Sequence, residues 1–250
     1  MSKIGTIIAF LILHFSSLGQ ILNVEKKREG LDKKGWQGNI DFTAKYTKNT
    51  SDIFQLANRS TVSYKKELKT FLILTDLKLI KKNRENLINQ GVVHLRYIKQ
   101  LERAEKLKFE LFAQSQFNAV QKINLRSILG ADFRFKVLGN DTINLNFGSG
   151  AMYEYEESLL KTYESILRFT NYISFNWNIK DKWKLRLISY YQPKFGELSD
   201  YRISTETALS YKVSKQFSIV GVVTSLFDTQ PIEGIPKDYF TGNLMFRYKF

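Results

Sequence analysis

The side chains best suited to chemistry in this sequence are charged residues that alternate with apolar ones. They are Asp41, Arg59, His94, Arg96, Lys108, Glu110, Arg126, Asp132, Arg134, Lys136, Arg168, Lys184, Arg186, Arg202, Glu206, Lys212 and Arg247. Successive side chains of a β-strand point to opposite faces, so this spacing predicts one polar face shared by all of them. Charges of both signs on an enclosed face can pair into a network that fills the interior. An excess of Arg and Lys could instead line a wet pore that prefers anions, and both interpretations stay open.

His94 suggests a second kind of chemistry, because it is the last histidine once a predicted leader containing His14 is removed. The general base of a hydrolase must lie beside a nucleophile or a water and be oriented by a carboxylate. Asp41, Asp132 and Glu206 could approach His94 across an enclosed interior. A membrane-embedded hydrolase is therefore the alternative hypothesis, and a hydrogen-bonded histidine in a polar network is the simpler one.

Composition excludes several other functions. The 250 residues contain no cysteine, which excludes disulfides, thiolate zinc sites and thiol catalysis. The formal charge is +14, from 38 Lys and Arg against 24 Asp and Glu, but the basic residues are spread along the chain rather than clustered in one patch. We therefore predict no nucleic-acid partner, no cofactor and no metal site.

Three predicted loops carry charges that could meet a ligand. Asp200 and Arg202 follow a loop near one rim, where pinning that loop is the simpler role. The segment DTQPIEGIPKD contains acidic residues that could meet a cation, although their spacing matches no calcium-binding loop. These acidic residues are Asp228, Glu233 and Asp238. The third loop contains Lys81, Lys82 and Arg84, which could pair with lipopolysaccharide phosphates.

The positions of these charges follow from a period-two pattern that begins at Trp36 and continues to the end of the chain. In the segment from Leu107 to Asn118, for example, Leu, Phe and Ala alternate with Lys, Glu and Gln. Twelve such segments account for residues 36–250 and predict an all-β chain of twelve antiparallel strands. An even number of strands can close into a transmembrane barrel, with short turns after even-numbered strands and longer loops after odd-numbered ones.

The final strand, from Tyr239 to Phe250, indicates where such a barrel would lie. Its even positions are apolar or small and include Phe246, Tyr248 and Phe250. A strand that ends the chain on Phe, with apolar residues at every second position before it, resembles the C-terminal signal of bacterial outer-membrane β-barrels. The resemblance implies insertion by the barrel-assembly machinery, with outer-membrane lipid and lipopolysaccharide as the surroundings.

Aromatic residues lie at the two ends of the predicted strands. Trp36, Trp177 and Trp183 fall at one end, and Tyr191 and Tyr201 fall at the other. Amphipathic rings prefer membrane interfaces, whereas a soluble β-sandwich has no reason to place its aromatic residues at the ends of the strands. The pattern therefore favours a transmembrane barrel with an aromatic girdle, and a soluble sandwich is the alternative.

Residues 1–20 have the layout of a secretory signal peptide. Lys3 precedes an apolar core from Ile4 to Phe15, and small residues follow that core. A core of about twelve residues is too short for a membrane anchor, which needs about 20. We predict cleavage after Gly19 or Gln20, a periplasmic lead-in over residues 21–35, and a barrel over residues 36–250 in the outer membrane of a Gram-negative bacterium.

Several segments resemble one family of outer-membrane proteins. They are ILNVEKKR and GWQGNIDF near the predicted mature start, QGVVHLRY, YYQPKFGELSDYRIS, and the DTQPIEGIPK loop before a terminal Phe. On these segments the chain is similar to the DUF481 family in its Bacteroidetes-like form. The resemblance implies an outer-membrane barrel without an agreed activity, so no catalytic residues are transferred from it. We expect a structural barrel or a narrow passive pore for small anionic solutes rather than an enzyme.

Cleavage of the leader can be tested on protein isolated from the outer-membrane fraction. We expect intact-mass spectrometry to give a chain that begins at Gln20 or Ile21, because signal peptidase cuts after small residues that follow an apolar core. The variant Leu11→Arg should stay uncleaved, since a charge interrupts that core. Outer-membrane protein that retains residues 1–20 would contradict the prediction.

Overall fold

The structure is a computed structural model and describes residues 34–48, 50–83, 85–101, 106–214 and 217–248. The predicted leader and most of the predicted lead-in lie outside these residues, as do Arg84 and Phe250. In the described part of the chain, no helix is long and apolar enough to cross a membrane.

Twelve strands in the described residues form one antiparallel sheet, which confirms the predicted fold class. The strands are β1 Gly35–Lys48, β2 Asp52–Lys66, β3 Lys69–Lys82, β4 Glu85–Gln100, β5 Leu107–Asn118, β6 Ile123–Gly139, β7 Ile143–Ser158, β8 Tyr163–Ile179, β9 Trp183–Lys194, β10 Glu197–Lys212, β11 Phe217–Asp228 and β12 Asp238–Tyr248. Each strand pairs with the next one along the chain, and a short 3-10 helix, Ala119–Gln121, lies between β5 and β6. Among the described residues no pairing joins β1 to β12, so closure into a barrel stays a prediction.

Alternation of side chains gives the sheet one buried face and one exposed face. On β8, Arg168, Thr170 and Tyr172 are buried, whereas Leu167 and Ile173 are exposed. Residues directly opposite in an antiparallel pair point to the same side, so the register carries this division from strand to strand. We call the buried side the inner face and the other side the outer face.

The sheet is curved, because strands that are not neighbours touch across the inner face. Arg202 of β10 reaches Glu154 of β7. Lys122, which precedes β6, donates to the backbone carbonyl of Glu233 between β11 and β12. Hydrogen-bonded strands lie about 4.8 Å apart, so a flat sheet would keep these segments well out of contact.

The inner face also holds apolar side chains that the sequence pattern does not assign to it. Leu72 and Leu74 of β3 are buried with Val92 of β4. The run from Phe71 to Leu74 is apolar throughout, so it has no contrast that could identify its inner face. The register places Leu74 opposite His94, which fixes the inner side of β3. Two further apolar clusters lie on β8 and β9 and on β10 and β11.

The predicted division into short and long connections is wrong after β3, β4 and β9. Only two residues separate β3 from β4 and β9 from β10, as in tight turns, whereas six separate β4 from β5. Asn83 and Gly196 adopt left-handed backbone conformations, which such tight turns need. Residues 229–237, after β11, form the long connection that fits the prediction. The sequence pattern predicts a loop over residues 156–164 after the seventh strand, but β7 continues to Ser158, so Glu156 lies in a strand.

Gly150 marks a place where β6 and β7 approach too closely for a side chain. A Cβ at Gly150 would collide with the carbonyl oxygen of Ala131 and would lie 2.6 Å from the Cα of Asp132. We expect Gly150→Ala to lower the free energy of unfolding by about 1–3 kcal/mol, because the two backbones must separate. Gly221→Ala on β11 is the matched control, since no described atom outside its chain neighbours lies within 4 Å of that Cβ. Denaturant titration in detergent micelles measures both variants, and equal unfolding midpoints would contradict the close approach.

Candidate functional site

The predicted charged residues whose side chains the structure describes lie on the inner face, and eight of them are buried. The buried ones are His94, Arg96, Glu110, Arg126, Asp132, Arg168, Arg202 and Glu206. Arg134 and Arg186 are half-buried, and Arg59 is exposed. The side chains of Asp41 on β1 and Arg247 on β12 lie outside the described part of the structure.

Arg202 lies at the centre of one cluster of ion pairs, which we call the Arg202 cluster. Its Nη1 donates to Glu154 Oε1 at 2.5 Å, and its Nε donates to Asp228 Oδ2 at 2.6 Å. Arg126 Nε donates to Glu156 Oε2 at 2.5 Å and lies 3.7 Å from Glu154 Oε1. These five side chains come from β6, β7, β10 and β11. Charge-assisted bonds of this length are strong, so the cluster ties distant parts of the inner face together.

Arg168 extends the Arg202 cluster toward the rim. Its Nη1 donates to Asp200 Oδ1 at 2.9 Å and to the carbonyl oxygens of Gln192 and Asp200 at 3.3 Å. The pairing of β9 with β10 is irregular beside Pro193, which has no N–H to donate. Arg168 therefore pins the irregular segment to the interior, and Asp200 serves this contact.

A second cluster surrounds Arg96, and we call it the Arg96 cluster. Arg96 Nη1 donates to Glu110 Oε2 at 2.6 Å and lies 3.8 Å from Asp132 Oδ2. The guanidinium carbon lies 4.9 Å from the centre of the Phe112 ring, within the range of a cation–π contact. Glu110 is 0% exposed, so its charge is balanced by protein groups rather than by water.

His94 is a member of the Arg96 cluster. Its Nε2 accepts a hydrogen bond from Arg96 Nε at 3.2 Å, and its Nδ1 lies 3.0 Å from Gln114 Oε1. Because Nε2 is an acceptor, the proton of the neutral ring belongs on Nδ1, which then donates to Gln114. A lone pair that accepts from Arg96 is poorly placed to take a proton from water. These contacts favour the structural role of His94 over the hydrolase hypothesis.

A small cavity lies between the two clusters. Its volume is about 50 Å³, and its lining includes Arg96, Phe112, Met152, Tyr190 and Arg202. A space of this size holds a few water molecules at most. The interior between the clusters is therefore nearly filled by side chains.

Comparison with known proteins identifies the family and supports the fold. A family model described as DUF481, a protein of unknown function, matches residues 32–250. The chain belongs to the DUF481 family. A solved structure of the porin NanC superposes on this fold with a TM-score of 0.50 at 9% sequence identity, covering 84% of this chain and 99% of that chain. No curated protein matches the sequence. The Bacteroidetes-like form of the family stays a prediction.

The DUF481 chain contains two inner-face carboxylates that are absent from the sequence prediction. Glu154 and Glu156 alternate with Tyr153 and Tyr155, whose register against β6 places them on the outer face. The sequence pattern predicts a loop over residues 156–164, which leaves Glu156 out of the inner set, and one further step of the alternation beyond Tyr155 would identify it. Glu154 lies within the predicted strand, where its alternation with Tyr153 and Tyr155 is the signal that would identify it.

The acidic segment after β11 does not form a cation site in the described structure. Asp228 accepts from Arg202, and the backbone carbonyl of Glu233 accepts from Lys122 at 2.8 Å. The described ranges contain no group of three or more His, Cys, Asp or Glu side chains arranged to hold a metal ion. The side chain of Asp228 instead completes the Arg202 cluster.

The predicted girdle residues lie at the same end of the sheet. Trp36 and Trp183 are at the starts of β1 and β9, and Trp177 is near the end of β8. The ring centres of Trp36 and Tyr64 are 5.0 Å apart, and those of Trp183 and Tyr211 are 4.6 Å apart. The residues of the predicted assembly signal have side chains outside the described part: Phe246, Tyr248 and Phe250.

Arg202 gives a sharp test of the buried network. Arg202→Met leaves Glu154 and Asp228 without their closest cation, so we expect the free energy of unfolding to fall by about 3–5 kcal/mol. Arg59→Met is the matched control: Arg59 contacts Asp76 at 2.8 Å but is 51% exposed. Exposed pairs contribute about 1 kcal/mol or less. Urea titration in micelles compares the variants, and equal losses would show that burial of the Arg202 cluster carries no special stability.

Proposed function

We propose that this DUF481 protein is a β-barrel of a Gram-negative outer membrane, closed by pairing of β1 with β12. The outer face supports the proposal because it presents large apolar side chains, among them Ile40, Phe71, Leu129 and Leu244. Strands that cross an outer membrane alternate between apolar residues outside and polar residues inside. The fold likeness to a porin agrees with this arrangement.

Within the membrane, we propose that the barrel is a structural envelope protein with a packed interior. The observation that carries this proposal is the loss of solvent contact by large inner-face side chains. Arg168 is 1% exposed, Tyr172 is 2% exposed and Leu74 is 0% exposed. Side chains that line a water-filled pore stay wet, so this burial favours a filled barrel over an open one.

A narrow pore for small anionic solutes is the second candidate, because basic inner-face residues gather toward one end of the sheet. Lys108 follows the start of β5, and Arg134 and Lys136 precede the end of β6. Lys184 and Arg186 follow the start of β9, which lies at the same end because the strands alternate in direction. Positive charge at a mouth concentrates anions there.

The proposed partners follow from the membrane setting. The leader and the final strand would deliver the chain to the barrel-assembly machinery, and lipid would cover the outer face. Lys81 and Lys82 are the last two residues of β3 and lie at the end opposite the girdle tryptophans. We propose that they pair with lipopolysaccharide phosphates, because a lysine ammonium forms charge-assisted hydrogen bonds with phosphate oxygens.

Conductance in planar bilayers tests the packed interior. We expect the wild-type protein to give no discrete current steps, since buried ion pairs block the space between the strands. The double variant Glu154→Ala and Arg202→Ala removes the contact that crosses the interior, and we expect it to give steps.

The matched control removes an exposed ion pair of the same face, through Arg59→Ala and Asp76→Ala, and should leave the current unchanged. Circular dichroism checks that each variant keeps its strands. Anion-selective steps from the wild-type protein would overturn the structural role and support the pore. If neither the wild-type protein nor the double variant gives current steps, residues outside the Arg202 cluster must close the interior.

A further inference from the structure

Three lysines lie in a row across the outer face, at the end of the sheet that carries the girdle tryptophans. Lys66 of β2 is directly opposite Lys69 of β3, and Lys69 is directly opposite Lys99 of β4. All three are exposed. Each lies two positions along its strand from an aromatic residue of the outer face, so the alternation of side chains keeps it on that face. We call these three residues the lysine row.

The backbone fixes the register of the lysine row. Only two residues, Glu67 and Leu68, join β2 to β3, and Glu67 adopts the left-handed conformation that a tight turn needs. The N–H of Gln100 donates to the carbonyl of Leu68 at 2.8 Å, which ties this turn to β4. Neighbouring Cβ atoms of the lysine row are therefore held about 5 Å apart, as in any directly opposite pair.

The lysine row is unfavourable without a negatively charged partner. Like charges on directly opposite residues of paired strands destabilise a sheet. No ion pair joins Lys66, Lys69 or Lys99 to a carboxylate in the described part of the chain. Glu67 brings a single negative charge to the turn between two of the lysines, so positive charge remains in excess. An anion bound at the outer face would relieve this repulsion.

A row of aromatic rings lies beside the lysine row, one step further along the strands. Its members are directly opposite one another on β1 to β4, and they are Trp36, Tyr64, Phe71 and Tyr97. The ring centres of Phe71 and Tyr97 are 5.0 Å apart. On β3 the exposed Ile73 follows the aromatic row. The outer face of β3 thus presents a charge, an aromatic ring and an aliphatic side chain in order, which matches the headgroup, interface and hydrocarbon of a lipid leaflet.

We propose that the lysine row binds the headgroup of an anionic phospholipid. The lysine ammoniums would donate to its phosphate oxygens, and its acyl chains would lie against the aromatic row and Ile73. A zwitterionic phospholipid fits less well, because its own ammonium offsets the charge of its phosphate. The inference rests on the proposed function, since it needs lipid against the outer face. The lead-in predicted before β1 would place this end of the sheet on the periplasmic side, away from lipopolysaccharide.

Native mass spectrometry of the folded protein in neutral detergent micelles tests the lysine row. The two probes are phosphatidylglycerol and phosphatidylcholine with the same acyl chains. We expect phosphatidylglycerol to bind with an affinity at least about tenfold above that of phosphatidylcholine, because several lysines act on one anionic headgroup. Excess inorganic phosphate should not displace the lipid, since the free ion has no acyl chains to bind the outer face.

Replacing all three residues of the lysine row by Gln should abolish the preference for phosphatidylglycerol. The matched control removes the same charge by replacing three exposed lysines at the opposite end of the sheet by Gln, and these are Lys48, Lys161 and Lys237. We expect the control to keep the preference of the wild-type protein. Circular dichroism checks that both variants keep their strands.

Lys69→Gln gives a second measurement, because Lys69 lies between the other two lysines. In neutral micelles the variant loses two like-charge contacts, so we expect its melting temperature to rise above that of the wild-type protein. A ligand that binds the folded state stabilises it, so added phosphatidylglycerol should raise the melting temperature of the wild-type protein more than that of the variant. Equal increases would show that Lys69 does not bind the lipid.

Equal binding of the two lipids by the wild-type protein would overturn the phospholipid site and leave the membrane barrel intact. An unchanged preference in the triple variant would overturn the site too, as would an equal loss in the control or displacement by inorganic phosphate. A protein that stays folded without detergent and binds neither lipid would overturn the proposed function as well. The two failures are therefore distinguishable.

Discussion

The contact between Arg202 and Glu154 is the constraint on which the rest of the inner face depends. These residues belong to β10 and β7, which are separated by two other strands, yet their side-chain atoms meet at 2.5 Å. The sheet must curve through β8 and β9 to allow this contact. A buried charge without a partner costs about 3–5 kcal/mol, so each carboxylate is tolerated inside only where the curvature brings an arginine to it. Curvature and charge pairing therefore depend on each other.

The alternation of side chains explains why much of this arrangement could be predicted from the sequence. Its period of two is a property of the extended backbone and holds whatever the strand packs against. Arg126, Arg168 and Arg202 therefore lie on one face, as the pattern predicts. Strand ends are harder to predict, because polar residues suit both a rim strand and a loop. Glu156 is such a case.

The partners of the buried charges could not be predicted in the same way. His94 lies opposite Gln114 in the register of β4 with β5, so aligning adjacent strands would bring them together. Arg202 and Glu154 have no such relation, because their meeting depends on the stagger and tilt of all strands between them. The inner-face position of Leu72 could not be predicted either, because an apolar run without polar residues fits either face.

Burial changes what the inner-face charges do. Strand number alone does not determine whether a barrel conducts, and twelve strands lie between small filled barrels and wide porins. Here long side chains such as Arg168 and Tyr172 occupy the middle of the inner face and are shielded from water. In such low-dielectric surroundings charges act mainly on one another, so we expect these buried charges to fix the shape of the sheet rather than to attract a solute. We therefore expect any contact with small molecules toward the ends of the strands, where the basic inner-face residues lie.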